Sequence, residues 1–541
     1  MENIKILDCT LRDGGYVNDW NFGNRSIKKI IEKLSQSHVD IIECGFLRDV
    51  PFDENRSLYD DVKKLHPFLG KKNKDTIYVG MIDQPYIPLK KIVKCDGSSI
   101  DGIRLTFHDT EKEIREALEY GKELMNKGYK VFIQPVGITS YSDEGLLNLI
   151  TKVNKLRPYA FYIVDTLGIM YKNDLFRLFH LIDRNLEPSI HIGFHSHNNL
   201  QLSFSNAQEL LILKTKRNII IDSTVFGMGR GAGNLCTELI THYINESTEE
   251  KYNTIPLLEI VDEHLSRFFH EPQWGYTVPY YLAAINKCHP NYASFLINKQ
   301  TITVKQIHSI LKQLPIEKRD IFDKKYIEDL YISYQEKYVD DSENLECLRN
   351  LLDGRDILVL SPGKSLAREK DTVRNFIKLK NPFVISVNFL PEDINVDAVF
   401  ISNLKRFEQW KETLENSPET TLYILTSNLL TLKKQSSIIV NYSNLLISSV
   451  TISDNAGMML LNLLNSLSIT TIFLAGFDGF SVDKTENYIH DELINNVEKE
   501  ALLNKNEAIS NYISSLRKDM EIHFLTSTIY DSERMKLSIY L

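Results

Sequence analysis

Long hydrophobic runs are missing from this sequence. The best apolar stretches, around 41–46 and 470–477, fall far short of the ~20 residues that cross a bilayer, so no membrane-spanning helix is expected. An excess of positive charge is missing too. Lys and Arg number 63 against 72 Asp and Glu, and the resulting net charge of -9 offers no general attraction to phosphate backbones or anionic membranes. Nucleic acid is therefore not an expected partner. Cysteine is scarce: Cys9, Cys44, Cys95, Cys236, Cys288 and Cys347 are scattered without C-x-x-C spacing, which excludes a disulfide framework and a structural zinc site and reads as reduced, mostly buried thiols. The opening residues enter an apolar segment with no basic region or cleavage pattern, so the cytoplasm is the expected location.

What is present is a globular composition, 43% hydrophobic and 25% charged, over 541 residues, enough for two or three domains. From the start to about residue 227 one unit repeats: a short β-branched run followed by ten to fifteen amphipathic residues. Eight such runs occur, at 5–11, 39–46, 77–82, 102–107, 130–136, 161–166, 190–197 and 219–226. Alternating strands and helices pair in parallel through crossovers, and eight units in this length fit a closed (β/α)8 barrel. Thr110 to Glu113 carries a capping-box pattern ahead of a stripe formed by Ile114, Ala117, Leu118, Gly121 and Leu124. The barrel is assigned to 1–245 and a helical extension with an acidic linker near 336–346 to 246–350. A Rossmann-like open α/β domain is assigned to 351–541, with strands at 357–360, 383–387, 398–401, 421–425 and 471–475. The fold class is thus α/β throughout.

Barrel active sites lie at the carboxyl ends of strands, where the first run delivers Arg12 and Asp13 in LDCTLRDGG and the seventh delivers His195 and His197 in HSHNN. Arg-Asp-Gly alone reads equally as a solvated turn, and an isolated His-x-His as a surface pair. Residues two apart on a strand face one side, so the two imidazoles point together into the barrel mouth, and with the Asp13 carboxylate they form three sides of a divalent-metal site.

These strings, with GMGRGAGN at 227–234, resemble the DRE-TIM metallolyase superfamily of 4-hydroxy-2-oxovalerate aldolase, hydroxymethylglutaryl-CoA lyase and isopropylmalate synthase, over about residues 1–295. The resemblance implies that Asp13, His195 and His197, with Asn234 nearby, bind Mn2+ or Mg2+. It implies that Arg12 steadies an enolate oxygen and that Glu43 and Asp165 line the site. Aldolases of this kind carry a base His shortly after the Arg-Asp pair, where this chain has Gly15 and Tyr16; Tyr16, His108, Tyr276 and His289 are the alternatives. Tyr276 and Tyr292 sit in a stretch similar to the tail of those aldolases. Arg230 replaces the Cys that CoA lyases carry in the glycine loop, which favours retro-aldol chemistry: a 4-hydroxy-2-oxo acid exchanged with pyruvate and an aldehyde. Two other readings remain, a Claisen-type acyltransferase using acetyl-CoA and a 2-oxo acid, and a catalytically silent barrel scaffold with an assembly module.

In the second α/β domain the turn at 361–365 and the segments at 386–388, 453–457 and 474–479 resemble the fold of small bacterial CMP-sialic acid sialyltransferases. By that resemblance Gly363, Ser365, Asn388, Asn455 and Gly457 touch a cytidine nucleotide or nucleotide sugar, and His490 serves as base. Phe480 stands where the relatives show Tyr. Together the two resemblances suggest a homo-oligomer acting in surface-polysaccharide sugar synthesis.

Overall fold

The computed structural model describes residues 3–213, 215–269, 274–408, 421–429, 437–483, 486–489 and 499–531. The chain forms two compact units. Residues 1–293 and 314–322 make the first, 294–313 and 323–541 the second, so the backbone passes between them three times.

The first unit is built on strands β1 (Ile4–Asp8), β2 (Ile41–Leu47), β3 (Leu58–Tyr59), β4 (Ile77–Ile82), β5 (Gly102–Phe107), β6 (Lys130–Pro135), β7 (Ala160–Asp165), β8 (His191–Ser196) and β9 (Ile219–Ser223). Their order is β1-β9-β8-β7-β6-β5-β4-β2-β3, and β1 pairs β2 through Leu7 with Ile41 and Asp8 with Ile42, which closes the cylinder. All these pairings are parallel. β3 only hangs on the end of β2, and the other eight strands are those read from the periodicity. The result is a (β/α)8 barrel.

Strand alternation sorts its side chains. Leu7, Ile41, Val79, Phe132, Ala160, Tyr162, Val164 and Ile220 pack inside the cylinder, while Ile42, Ile103, Leu105, Phe161, Ile163, Phe194 and Ile221 meet the surrounding helices. Among those helices, Glu111–Asn126 starts at Thr110, whose hydroxyl accepts from the Glu113 N–H, and buries Ile114, Ala117, Gly121 and Leu124. The expected capping box is only half made. The Glu113 carboxylate instead accepts from the backbone and ring of His108, at 2.8 and 3.1 Å.

The second unit carries β10 (Ile357–Leu360), β11 (Phe383–Val387), β12 (Ala398–Ile401), β13 (Leu422–Thr426), β14 (Ser437–Val440), β15 (Thr471–Ala475) and β16 (Glu521–Phe524). They form one parallel open sheet in the order β14-β13-β12-β11-β10-β15-β16, which reverses direction between β10 and β15. Apolar layers cover both faces, one around Ile357, Ile385 and Leu461 and the other around Leu358, Phe376 and Val384. The acidic segment expected to be a linker lies beside and partly within the helix Ser342–Leu352, whose Leu348 and Leu352 are buried. Within the helix Glu343 and Glu346 lie on the solvated face, while Asp341, just before it, is buried and accepts the Asn441 N–H.

Candidate active site

The barrel interior changes character toward the carboxyl ends of its strands. Ile41 and Ile220 face inward, so Glu43 and Asp222 two positions on do the same, and Arg104 rises from β5 between the outward Ile103 and Leu105. Arg104 is wholly buried and bridges Glu43 Oε2 at 2.8 Å and Asp222. Glu43 Oε2 also accepts from Arg12 Nε at 2.8 Å, and Arg12 Nη1 reaches Asp13 Oδ1 at 2.7 Å. Five charged groups on four structural elements thus form one desolvated chain in which each charge has a partner of opposite sign. Breaking such a pair from one side strands a buried charge.

Asp13, His195 and His197 come together at the end of this chain, with one ligand atom from each lying within 4.8 Å of the others. His195 Nε2 is 4.0 Å and His197 Nδ1 3.9 Å from Asp13 Oδ2, and the two rings stand perpendicular with centroids 5.3 Å apart. Asp222 Oδ2 receives the Nδ1–H of His195 at 3.0 Å, which fixes that ring's tautomer and leaves Nε2 as the free donor atom. Burial pushes the Asp13 carboxyl up, but Arg12, both imidazoles and the Asn234 amide outweigh it and hold the acid well below the usual carboxylate range. Burial pushes His197 down to about 3, against the pull of Asp13, so its ring is neutral. An ionised carboxylate and two neutral imidazoles are a donor set that fits a divalent cation. Asn234 donates to Asp13 Oδ2 at 2.5 Å, while its own buried Oδ1 has no hydrogen-bond partner among the described residues. A second grouping, Cys9 with His195 and Asp222, is less suited: burial drives the Cys9 thiol well above its ordinary value and its Sγ donates to the Ser223 carbonyl.

The other expected residues divide. Tyr16 is 40% exposed, packs edge-on against Trp20 and Phe46, and carries the Arg230 guanidinium 5.6 Å over its ring. His289 is buried with Nε2 3.4 Å from Arg230 Nη1. Asp165 shares the outward parity of Phe161 and Ile163, and its two oxygens accept from the Ile169 and Met170 N–H groups at 3.0 Å. It braces the loop after β7 by accepting these two backbone N–H groups rather than lining the cylinder. Tyr292 is fully buried and donates to the carbonyls of Lys318 and Ile321, a packing arrangement, and Tyr276 lies exposed against Tyr281. His108 is tied to Glu113. Asp222 and Arg104 are not evident from the sequence, where each is a lone charge inside a β-branched run whose inward register only the strand pairing defines.

In the second unit a cavity of about 270 Å³ opens where the strand order reverses, and Gly363, Asn388, Asn455 and Gly457 all line it. Asn388 adopts φ of +58°, a conformation L-residues with a side chain seldom take, and Asn455 caps the helix Ala456–Ser466 by accepting from Met458 N–H. Lys299, Arg406 and Lys505 line the cavity as well. Burial, reinforced by the other two cations, pushes the Lys505 ammonium below its ordinary value despite Asp454. Ser365 does not join that lining. Its N–H and hydroxyl both donate to Asp478, and the hydroxyl also meets Thr526. His490 lies outside the described residues.

Residues 98–262 match the HMGL-like family model. The chain is similar to oxaloacetate decarboxylase of Mycobacterium tuberculosis, with 23% identity over 43% of this chain and 68% of the relative. It is also similar to 4-hydroxy-2-oxovalerate aldolase of Geobacillus genomosp. 3, with 25% identity over 48% of this chain and 75% of the relative. Among solved structures, HMG-CoA lyase of Brucella melitensis aligns with a TM-score of 0.38 and 14% identity, covering 47% of this chain and 95% of its own. The HMGL-like match lies within the N-terminal barrel, which is thus similar to the metal-dependent aldolases and lyases.

Proposed function

We propose that the barrel interconverts a 4-hydroxy-2-oxo acid with pyruvate and an aldehyde, using Mn2+ or Mg2+ held by Asp13, His195 and His197. The observation that carries this reading is the convergence of those three groups with Asp222 orienting His195. A bound divalent cation would supply the Lewis acid that polarises the carbonyl of a 2-oxo acid. The protein's own groups do the rest. Arg12 is locked by Glu43 and Asp13, so its remaining N–H groups are preorganised to receive the enolate oxygen that appears as the C3–C4 bond breaks. In that direction the 4-hydroxyl loses a proton, the bond's electron pair passes to C3, and C3 regains a proton to give pyruvate. In this reading Tyr16, whose ring lies under Arg230, relays the first proton.

The test is aldol formation from pyruvate and a simple aldehyde by Mn2+-loaded protein, followed by NMR. A His195→Ala, His197→Ala double variant in chelator should be inactive while keeping its far-UV circular dichroism; full activity there would sink the assignment. Consumption of acetyl-CoA with a 2-oxo acid would replace it by Claisen chemistry.

For the second unit the proposed ligand is a cytidine nucleotide or nucleotide sugar, the unit acting beside the aldolase in making a surface-polysaccharide sugar. What supports it is the left-handed Asn388 in a cation-lined cavity at the sheet's reversal, where open α/β sheets bind ligands. Calorimetry of the full chain with CMP, CDP, UDP and ADP tests it. Selective CMP binding lost on Asn388→Ala supports the reading, and silence toward all four leaves an assembly module.

A further inference from the structure

Arg12, Arg48 and Arg104 each meet a carboxylate: Asp13 and Glu43, Asp83, and Glu43 and Asp222 respectively. Arg230 differs. Among the described residues its guanidinium meets the imidazole of His289 and the face of Tyr16, and neither is an anion.

The loop leaves Arg230 little freedom to look elsewhere. A Cβ at Gly229 would lie 2.1 Å from Asn234 Nδ2, and one at Gly231, whose φ is +69°, would lie 2.8 Å from Asn199 Oδ1. The Gly233 N–H closes the turn on the Arg230 carbonyl at 3.2 Å. The side chain between the two glycines is thereby held beside the metal-ligand cluster, close enough for its charge to help hold His197 neutral.

The contact with His289 is internally unsatisfied. A neutral imidazole has one donor and one acceptor nitrogen. Nδ1 of His289 accepts the backbone N–H of Asn291 at 3.2 Å, so Nε2 carries the hydrogen. That Nε2–H faces Arg230 Nη1 at 3.4 Å, donor against donor. Protonation cannot relieve the contact, because it makes both ring nitrogens donors, and burial and Arg230 in any case push His289 down to about 3. Reversing the tautomer only moves the clash onto Asn291. One acceptor set between the two side chains would satisfy both.

We infer that Arg230 and His289 hold an oxyanion at the far end of the substrate, so that the aldehyde exchanged with pyruvate carries a carboxylate or a phosphate. Arg12 and the metal ligands serve the 2-oxo acid end; Arg230 and His289 serve the other and set specificity. This rests on the aldolase reading.

The experiment compares aldehydes matched except for charge, each with pyruvate and Mn2+-loaded full-length protein: propanal against succinic semialdehyde, and glyceraldehyde against glyceraldehyde 3-phosphate. Wild type should favour the charged member of one pair by at least about tenfold in kcat/KM, and the pair that responds names the anion. In Arg230→Gln the charged-to-neutral ratio should fall toward one, a loss of roughly 10- to 100-fold, and Arg230→Lys should restore part of it. Because the ratio is taken within each protein, a smaller folded fraction does not change it. A ratio near one in wild type for both pairs, or a ratio unmoved by Arg230→Gln, overturns the inference. So does a variant that raises the KM for pyruvate equally with charged and neutral aldehydes, which would put Arg230 on the pyruvate carboxylate. Exchange of pyruvate methyl protons with D2O by wild type separates the two failures: exchange without charge preference overturns this inference alone, and no exchange overturns the aldolase reading beneath it.

Discussion

Asp222 reaches no substrate in the proposed chemistry, yet it decides which nitrogen of His195 is free. Asp222→Asn keeps the shape, but an amide that donates to Nδ1 would favour the wrong tautomer and leave Arg104 with one carboxylate fewer. Mn2+ affinity should fall about 10- to 100-fold, read by spin-resonance titration, with His195 still present. Acid titration offers a second check. Burial raises Asp165 to about 6 and Asp8 to about 6, the first opposed by backbone donors and the second by Thr237 and Thr10. Groups raised in the folded state stabilise it fully below their unfolded value near 4 and lose that contribution as pH rises through about 6. The thermal midpoint of metal-free protein should therefore fall between pH 4 and 6, and fall less in Asp165→Asn, as scanning calorimetry would show. Asp13 and Asp222 have the opposite sign, each depressed by cationic and imidazole partners against burial, and their contribution disappears as pH drops below about 4. The sequence made Arg12, Asp13, His195 and His197 legible because they stand in short polar strings at strand ends. Arg104 and Asp222 were not, each being a lone charge inside a β-branched run whose inward register only a pairing partner defines.

The loop of residues 227–234 shows how an element rather than a side chain builds the site. Gly229→Ala would place a methyl group 2.1 Å from Asn234 Nδ2 and 3.2 Å from Asp13 Oδ2. Its backbone is fixed on both sides, so the amide and carboxylate must move. The variant should fold, with unchanged far-UV signal, and bind divalent metal at least about tenfold more weakly in equilibrium dialysis. Periodicity reported the eight barrel strands well because each is a run of five to seven residues buried on both faces. It missed β14 and β16, four residues each: Glu521 and His523 interrupt the apolar run of β16, and after Ser437 β14 has only the short run Ile438-Ile439-Val440. β3, at two residues, is too short to have a period.

At the scale of the molecule, the two units interleave along the chain, since 314–322 belongs with the barrel and 294–313 does not. Length and composition allowed two or three domains but could not show this path, because helices of similar polarity follow one another there without a break in pattern. The returning segment supplies both acceptors of the Tyr292 hydroxyl and the Arg319 carbonyl that receives the His289 N–H at 2.7 Å. A fragment ending at residue 293 should melt lower than one ending at 322, by the roughly 1–3 kcal/mol that each orphaned buried polar group costs, in differential scanning fluorimetry. The same path constrains inheritance. A single crossover in the gene just past the last barrel helix would hand on a barrel without its own returning strip. Exchange of this half between lineages as a working cassette requires a breakpoint beyond the codon for Phe322, and the recipient then also acquires the twenty codons in between.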